Sequence, residues 1–277
     1  MSNNENQKPV DTLNELICFA ERKLSDYHFE LSKHQTRKGL VFQYMGAAHG
    51  LMRPILNLLQ DERSQTHAAT ILVRTLFEIN VRLIYLFCSK GHQNVIKGFR
   101  ESFRKKISST KEWEMFITNN QQFADTLDIK LLTAEIPNWT KFQVRIEKIF
   151  TKRYGHENYN WPRTLKDMVR EIDNWNSQLK PNRRNKNDLM WSYLTIYGYW
   201  SQIVHLDLDG LNRYMNKTTG GYELMIHGDP DDVDRLAITA FLHYLHILDI
   251  FSLQFGIPTR EELKPLKEKM KLFTKIN

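Results

Sequence analysis

From Ser64 to Cys88 the chain runs without a glycine or a proline. The segment carries Ile71, Leu72, Val73, Leu76, Phe77, Ile79, Val81, Leu83, Ile84, Leu86 and Phe87. Apolar residues therefore fall on nearly every side of a helical turn, which predicts a central helix enclosed by several neighbours. Turn-forming residues are scarce elsewhere too. The 277 residues include 12 Gly and 8 Pro, against ordinary usage of about 7% and 5%. So little punctuation argues against sandwiches and barrels. A hydrophobic share of 41% supplies a large core. The expected class is all-α, a multi-helix bundle with a less regular middle insertion.

Helical periodicity places elements at about 10–31, 39–60, 64–88, 93–119, 163–178, 188–215, 231–255 and 259–273. Pro54 lies within the second and is expected to kink it. Residues 1–9 read as a flexible tail, and 10–277 as a single helical domain with an insertion at about 119–160. Within the insertion, helices near 121–132 and 142–152 are expected on either side of a Pro137-Asn138-Trp139 turn. The clearest break, Lys217 to Asp232, holds Gly220, Gly221, Gly228 and Pro230. A short strand is expected at Tyr222–Ile226, and the glycine-rich stretch is expected to be mobile.

The net charge is +7 and the pI about 9.2, which admits an anionic partner such as RNA. Cys18 and Cys88 lie inside helical patterns and form no C-x-x-C pair, so a reducing cytoplasm is expected. The polar N-terminus does not read as a signal peptide. Ile238–Phe255 is interrupted by His243, His246 and Asp249 and reads as a core helix, not a membrane span. Phosphate-binding, dinucleotide, zincin and nucleophile-elbow motifs are absent, as is any Glu-x-x-His, so no cofactor is expected.

Polar residues on the apolar helices carry the functional question, because an enclosed charge needs a partner. Arg74 and Glu78 stand four residues apart and can meet, as a structural ion pair or as part of an active site. Tyr197, Ser201 and His205 share a broad helix face, where His205 is either a satisfied core histidine or an acid–base group. His243, His246 and Asp249 form a narrow stripe. As metal ligands they lack a fourth member, which favours a polar seam bonded to neighbouring helices. Lys97, Arg100, Arg104, Lys105, Lys106 and Lys111 are diluted by glutamates and read as a solvated face. Lys180, Arg183, Arg184 and Lys186 form a purer basic loop suited to nucleic acid.

The segments Val73-Arg74-Thr75-Leu76-Phe77-Glu78 and Tyr197-Gly198-Tyr199-Trp200-Ser201-Gln202-Ile203-Val204-His205 resemble a bacterial domain-of-unknown-function family, number 5677. The likeness covers roughly residues 45–255. It implies an all-α bundle in which Arg74, Glu78, Tyr197, Ser201 and His205 are neighbours, and it implies no established reaction. Helical families of this look sit near the higher-eukaryote and prokaryote nucleotide-binding (HEPN) superfamily. Many of its members are metal-independent ribonucleases in toxin and phage-defence systems, whose motif is an Arg, four to six intervening residues, then a His. Here only Arg22 and His28 meet that spacing, fewer than composition alone would supply.

Two classes of function follow. One is a metal-independent RNA-cleaving toxin or antiviral defence effector, with His205 as base, Arg74 stabilising phosphoryl charge, and Glu78, Tyr197 and Ser201 positioning them. The other is a non-enzymatic interaction or regulatory module whose polar cluster fixes helix register. A homodimer or an operon-encoded protein partner is compatible with either.

Overall fold

The computed structural model describes residues 8–25, 36–61, 65–88, 91–120, 129–154, 162, 164–179, 189–198, 200–201, 215–219, 221–224 and 228–274. Among the described residues the chain is all-α apart from one short hairpin. It divides into two compact units, Met1–Ile84 with Met168–Asn277, and Tyr85–Asp167.

In the first unit α1 (Pro9–Ser25) and α2 (Thr36–Gln60) pair with each other. Both pack on α8 (Asp232–Phe255), while α9 (Arg260–Thr274) lies against α1 and α8. The reason is legible in the spacing. Leu13, Leu16, Ile17 and Ala20 recur at helical intervals on α1 and are fully buried. The same holds for Ala48, Met52 and Ile55 on α2. On α8, Ala237, Ala240, Phe241, Tyr244, Ile247 and Phe251 are all inaccessible. This helix is long and apolar enough to cross a bilayer, yet 61% of its most apolar window is buried against the rest of the protein. Gly256, at φ 68°, ends it, and its N–H and that of Ile257 both return to the Ser252 carbonyl.

Pro54 does not interrupt α2. The carbonyl that loses its partner belongs to Gly50, which is exposed, so solvent can satisfy it. Ion pairs tie the helices at their rims. Arg53 grips both oxygens of Glu21 at 2.6 and 2.5 Å and also reaches Asn14 Oδ1 at 3.2 Å, fastening α2 to α1. Lys23 and Glu262 meet at 2.7 Å, and Lys269 and Glu15 at 2.8 Å, fastening α1 to α9.

The helix predicted to be enclosed is α3 (Thr66–Tyr85). Val73, Leu76, Phe77, Val81 and Leu83 are fully buried. The enclosure is nevertheless incomplete, because Ile71, Thr75 and Arg82 leave one stripe open to solvent. Arg74 and Glu78 lie beside that stripe.

In the second unit α4 (Gly91–Asn119) and α5 (Ile129–Tyr154) run antiparallel. Arg100 pairs with Glu147, Phe103 stacks on Phe142 at 5.8 Å, and Lys106 lies over Trp139 at 5.5 Å. These contacts correct the expected turn at Pro137-Asn138-Trp139, because α5 runs through it unbroken. A proline inside a helix costs about 3 kcal/mol of propensity, and side-chain packing along α4 outweighs it. The irregular segment foreseen at 119–160 thus contains a long helix; 121–128 and 155–160 lie outside the described residues.

Back in the first unit, α6 (Leu165–Ser177) buries Met168, Val169 and Ile172. The aromatic helix foreseen over 188–215 takes another form. It begins as α7 (Leu189–Ser192) and widens into a π-helical segment, Tyr193–Gly198, with Trp200 and Ser201 again helical. Met215 is already in β1 (Met215–Thr218), which pairs antiparallel with β2 (Gly221–Leu224) from Met215↔Leu224 to Thr218↔Gly221. The expected strand is therefore present at Gly221–Leu224, and 225–226 lie outside the described residues. β1 escaped notice because Met-Asn-Lys-Thr has no alternating apolar pattern.

Gly228 is not slack either. It is buried at φ 90°, and a Cβ there would stand 2.2 Å from Thr66 Oγ1 and 2.9 Å from the His67 nitrogen. Both the backbone angle and the closeness of α3 demand glycine. Gly228→Ala is expected to destabilise the protein by about 2–4 kcal/mol, at the severe end for a point change. Urea unfolding followed by circular dichroism will measure it.

Candidate functional site

Arg74 and Glu78 sit on α3 with their side chains 14% and 27% exposed. Tyr197 reaches them from the π-helical segment. The Arg74 guanidinium donates from Nη2 to Tyr197 Oη at 2.6 Å and lies 4.5 Å from the centre of its ring. The same Nη2 is 3.6 Å from Glu78 Oε1. Tyr197 Oη in turn donates to Glu78 Oε1 at 3.2 Å. Arg82, one turn further along α3, approaches the other carboxylate oxygen, Oε2, at 3.3 Å. One carboxylate thus stands between two guanidinium groups and a phenol.

The π-helical turn delivers Tyr197 to this place. Tyr193 stacks on Tyr197 at 5.1 Å, one turn earlier, and Phe77 of α3 meets its ring at 5.9 Å. Such turns are rare and recur at functional sites. Asp173 on α6 fixes the start of the helix that carries it. Its two carboxylate oxygens accept the backbone N–H groups of Leu189 at 3.2 Å and Met190 at 2.8 Å. That satisfies donors otherwise orphaned at a helix start and places negative charge where the helix dipole favours it.

Of the five residues expected to converge, Arg74, Glu78 and Tyr197 do. Ser201 is half-buried and makes no hydrogen bond with those three. His205 lies outside the described residues, as do Lys180, Arg183, Arg184 and Lys186 of the basic loop.

The stripe of His243, His246 and Asp249 disperses among different partners. His243 Nδ1 meets the Asn80 amide of α3 at 3.1 Å, and its ring stands edge-on to Phe77 at 5.0 Å. Asp249 is paired with Lys267 of α9 at 2.9 Å. Among the described residues no three His, Cys, Asp or Glu side chains gather as a metal site. Burial, reinforced by neighbouring His246, pulls the His243 pKa down to about 3, and burial also lowers His246 against the pull of Asp249. His49 on α2, bonded through Nδ1 to Tyr244 Oη at 2.6 Å, is lowered by burial despite Glu21 nearby.

Sequence reasoning overlooked Arg82, Asn80 and Asp173. Arg82 was readable, since it follows Glu78 at the same four-residue step that singled out Arg74. Asn80 and Asp173 act across long sequence separations and leave no local signal.

The profile of a Family of unknown function (DUF5677) matches residues 38–222, more than half of the chain. The chain belongs to this family. The DUF5677 span includes Arg74, Glu78, Arg82, Asp173, Tyr197 and Ser201, and it excludes α8 with His243. No curated protein and no solved structure matches the chain.

Two outcomes test this geometry. Tyr197→Phe removes an acceptor from a largely buried guanidinium and a donor from Glu78, so it should cost about 1–3 kcal/mol. A double-mutant cycle with Glu78→Gln should show coupling of about 0.5–3 kcal/mol. The histidines set a pH dependence. Their folded-state pKa values lie below the unfolded value of about 6.5, so the unfolded chain takes up protons first as pH falls. Stability is full above about pH 6.5 and declines below it, for His243 as far as about pH 3. Urea midpoints should fall between pH 7.5 and 5.5, and His243→Gln should flatten the decline.

Proposed function

We propose that this chain is a helical, phosphate-directed effector that cleaves RNA without a metal and acts in the cytoplasm as a toxin or antiviral defence protein. The observation that carries this reading is Arg74, a guanidinium held by Tyr197 and Glu78 at the edge of an otherwise enclosed helix, still partly open to solvent. A positioned guanidinium suits the charge that develops on a phosphoryl group under attack.

In this reading His205 accepts the proton of a ribose 2′-hydroxyl. The freed oxygen attacks the adjacent phosphorus and expels the 5′-oxygen. That oxygen takes a proton from the histidine, leaving a cyclic phosphate and a 5′-hydroxyl. Arg74 stabilises the equatorial oxygens, Glu78 and Tyr197 hold Arg74, and Ser201 orients His205 or the substrate. Lys180, Arg183, Arg184 and Lys186 draw in the RNA backbone and make binding salt-dependent.

One observation favours a second reading. Arg74, Glu78 and Tyr197 are bonded to one another, as in a register-fixing network of a non-enzymatic interaction or regulatory module. Such a module would act through a second copy or another protein. Induced expression of the wild type, His205→Ala and Arg74→Gln, with growth and total RNA integrity followed together, separates the two. The effector reading expects the wild type to stop growth with RNA fragmentation, and both variants to abolish it while melting as proteins of native fold. Full activity in a folded His205→Ala variant overturns it. Loss of fold in Arg74→Gln with no RNA damage by the wild type supports the module.

A further inference from the structure

The net charge of the chain is concentrated in one place. The unit Tyr85–Asp167 holds 15 Lys and Arg against 9 Asp and Glu, a net of +6 out of +7 for the whole chain. Much of the basic side of α4 is spent internally. Arg104 pairs with Glu101 at 2.7 Å, Lys105 approaches the same carboxylate at 3.9 Å, and Lys97 is buried. The basic residues of α5 are arranged otherwise. Lys141, Arg145, Lys148 and Lys152 follow one another at steps of four, three and four, so they share one narrow stripe.

That stripe lies on the side of α5 away from Trp139 and Phe150, whose rings meet Lys106 and Arg100 of α4. All four residues are exposed, and none forms an ion pair among the described residues. Glu147, the acid that interrupts the run, is taken by Arg100 of α4. Apolar side chains border the stripe. Phe142 and Ile149 line one edge, 51% and 44% exposed, and Val144 lines the other at 48%.

We propose that this face of α5 binds single-stranded nucleic acid, with RNA as the strand. Four cations along about 16 Å of helix match a continuous run of phosphates, while Phe142, stacked on Phe103 yet 51% exposed, offers its exposed part to an unpaired base. Cations that follow the backbone, with an aromatic ring on which bases stack, form the combination that single-strand binders use. A duplex conceals its base faces and would leave Phe142 unused. The choice of RNA rests on the phosphate-directed reading above, whereas the binding surface stands on charge and exposure alone.

The test is binding of a labelled, unstructured 20-nucleotide RNA to the full chain, measured by fluorescence anisotropy across salt. Lys148→Gln with Lys152→Gln should weaken binding at least tenfold and reduce the slope of log affinity against log salt by about 1.4. Phe142→Ala should weaken binding several-fold while leaving that slope unchanged. The matched control, Lys264→Gln with Lys271→Gln on α9, should change affinity less than twofold. Equal loss in both pairs overturns the proposal, since net charge alone would then explain binding. Tighter binding to a duplex of the same length overturns it too. So does vesicle binding that is lost with the stripe while RNA binding persists. Because the readout is binding, a chain that binds RNA through α5 but never cleaves it refutes only the cleavage reading.

Discussion

Water is excluded from one face of α8 between Leu236 and Ser252, and the first unit is organised by what that exclusion demands. Burying Phe241, Tyr244, Ile247 and Phe251 supplies the main hydrophobic stabilisation. The helix also carries polar side chains, buried at His243 and Tyr244 and at the partly exposed rim for Asp249, and a partner offsets the cost of burial. His243 finds Asn80 on α3, Tyr244 finds His49 on α2, and Asp249 finds Lys267 on α9. There is one polar anchor for each of three surrounding helices. Hydrophobic contact alone tolerates sliding, because one leucine packs much like another. A hydrogen bond between two specified side chains does not, so these pairs set the axial position of each neighbour against α8.

The cluster of Arg74, Glu78 and Tyr197 belongs to the same scheme by position. Phe77 contacts the Tyr197 ring on one side and the His243 ring on another, so the polar anchor of α3 and the candidate site share one aromatic side chain. Any shift of α3 against α8 would also move Arg74 relative to Tyr197. Catalytic preorganisation and structural registry make the same demand on these residues, which is why the geometry of the cluster serves either reading.

Fold class was legible because it depends on local periodicity. The apolar spacing on α1, α2, α8 and α9 appears directly in the burial of those helices. Arg74 and Glu78 were legible for the same reason, since a four-residue step has one geometric meaning on a helix. What escaped notice depended on packing between distant segments. Pro137 reads as a breaker, yet α4 holds α5 straight through it. The widening at Tyr193–Gly198 has no periodic signature, although it places Tyr197. Gly228 reads as slack, but the closeness of Thr66 makes glycine a steric requirement. The asymmetry of charge between the units was present in the residue order all along, and became visible once the unit boundaries were known.

The clamp made by Asp173 has a consequence for how the chain can change. By holding the amides of Leu189 and Met190, this carboxylate ties the end of α6 to the start of α7. The position of Tyr197 is thereby set by a side chain 16 residues before Leu189, and loss of that one carboxylate would loosen the helix start and the candidate site together.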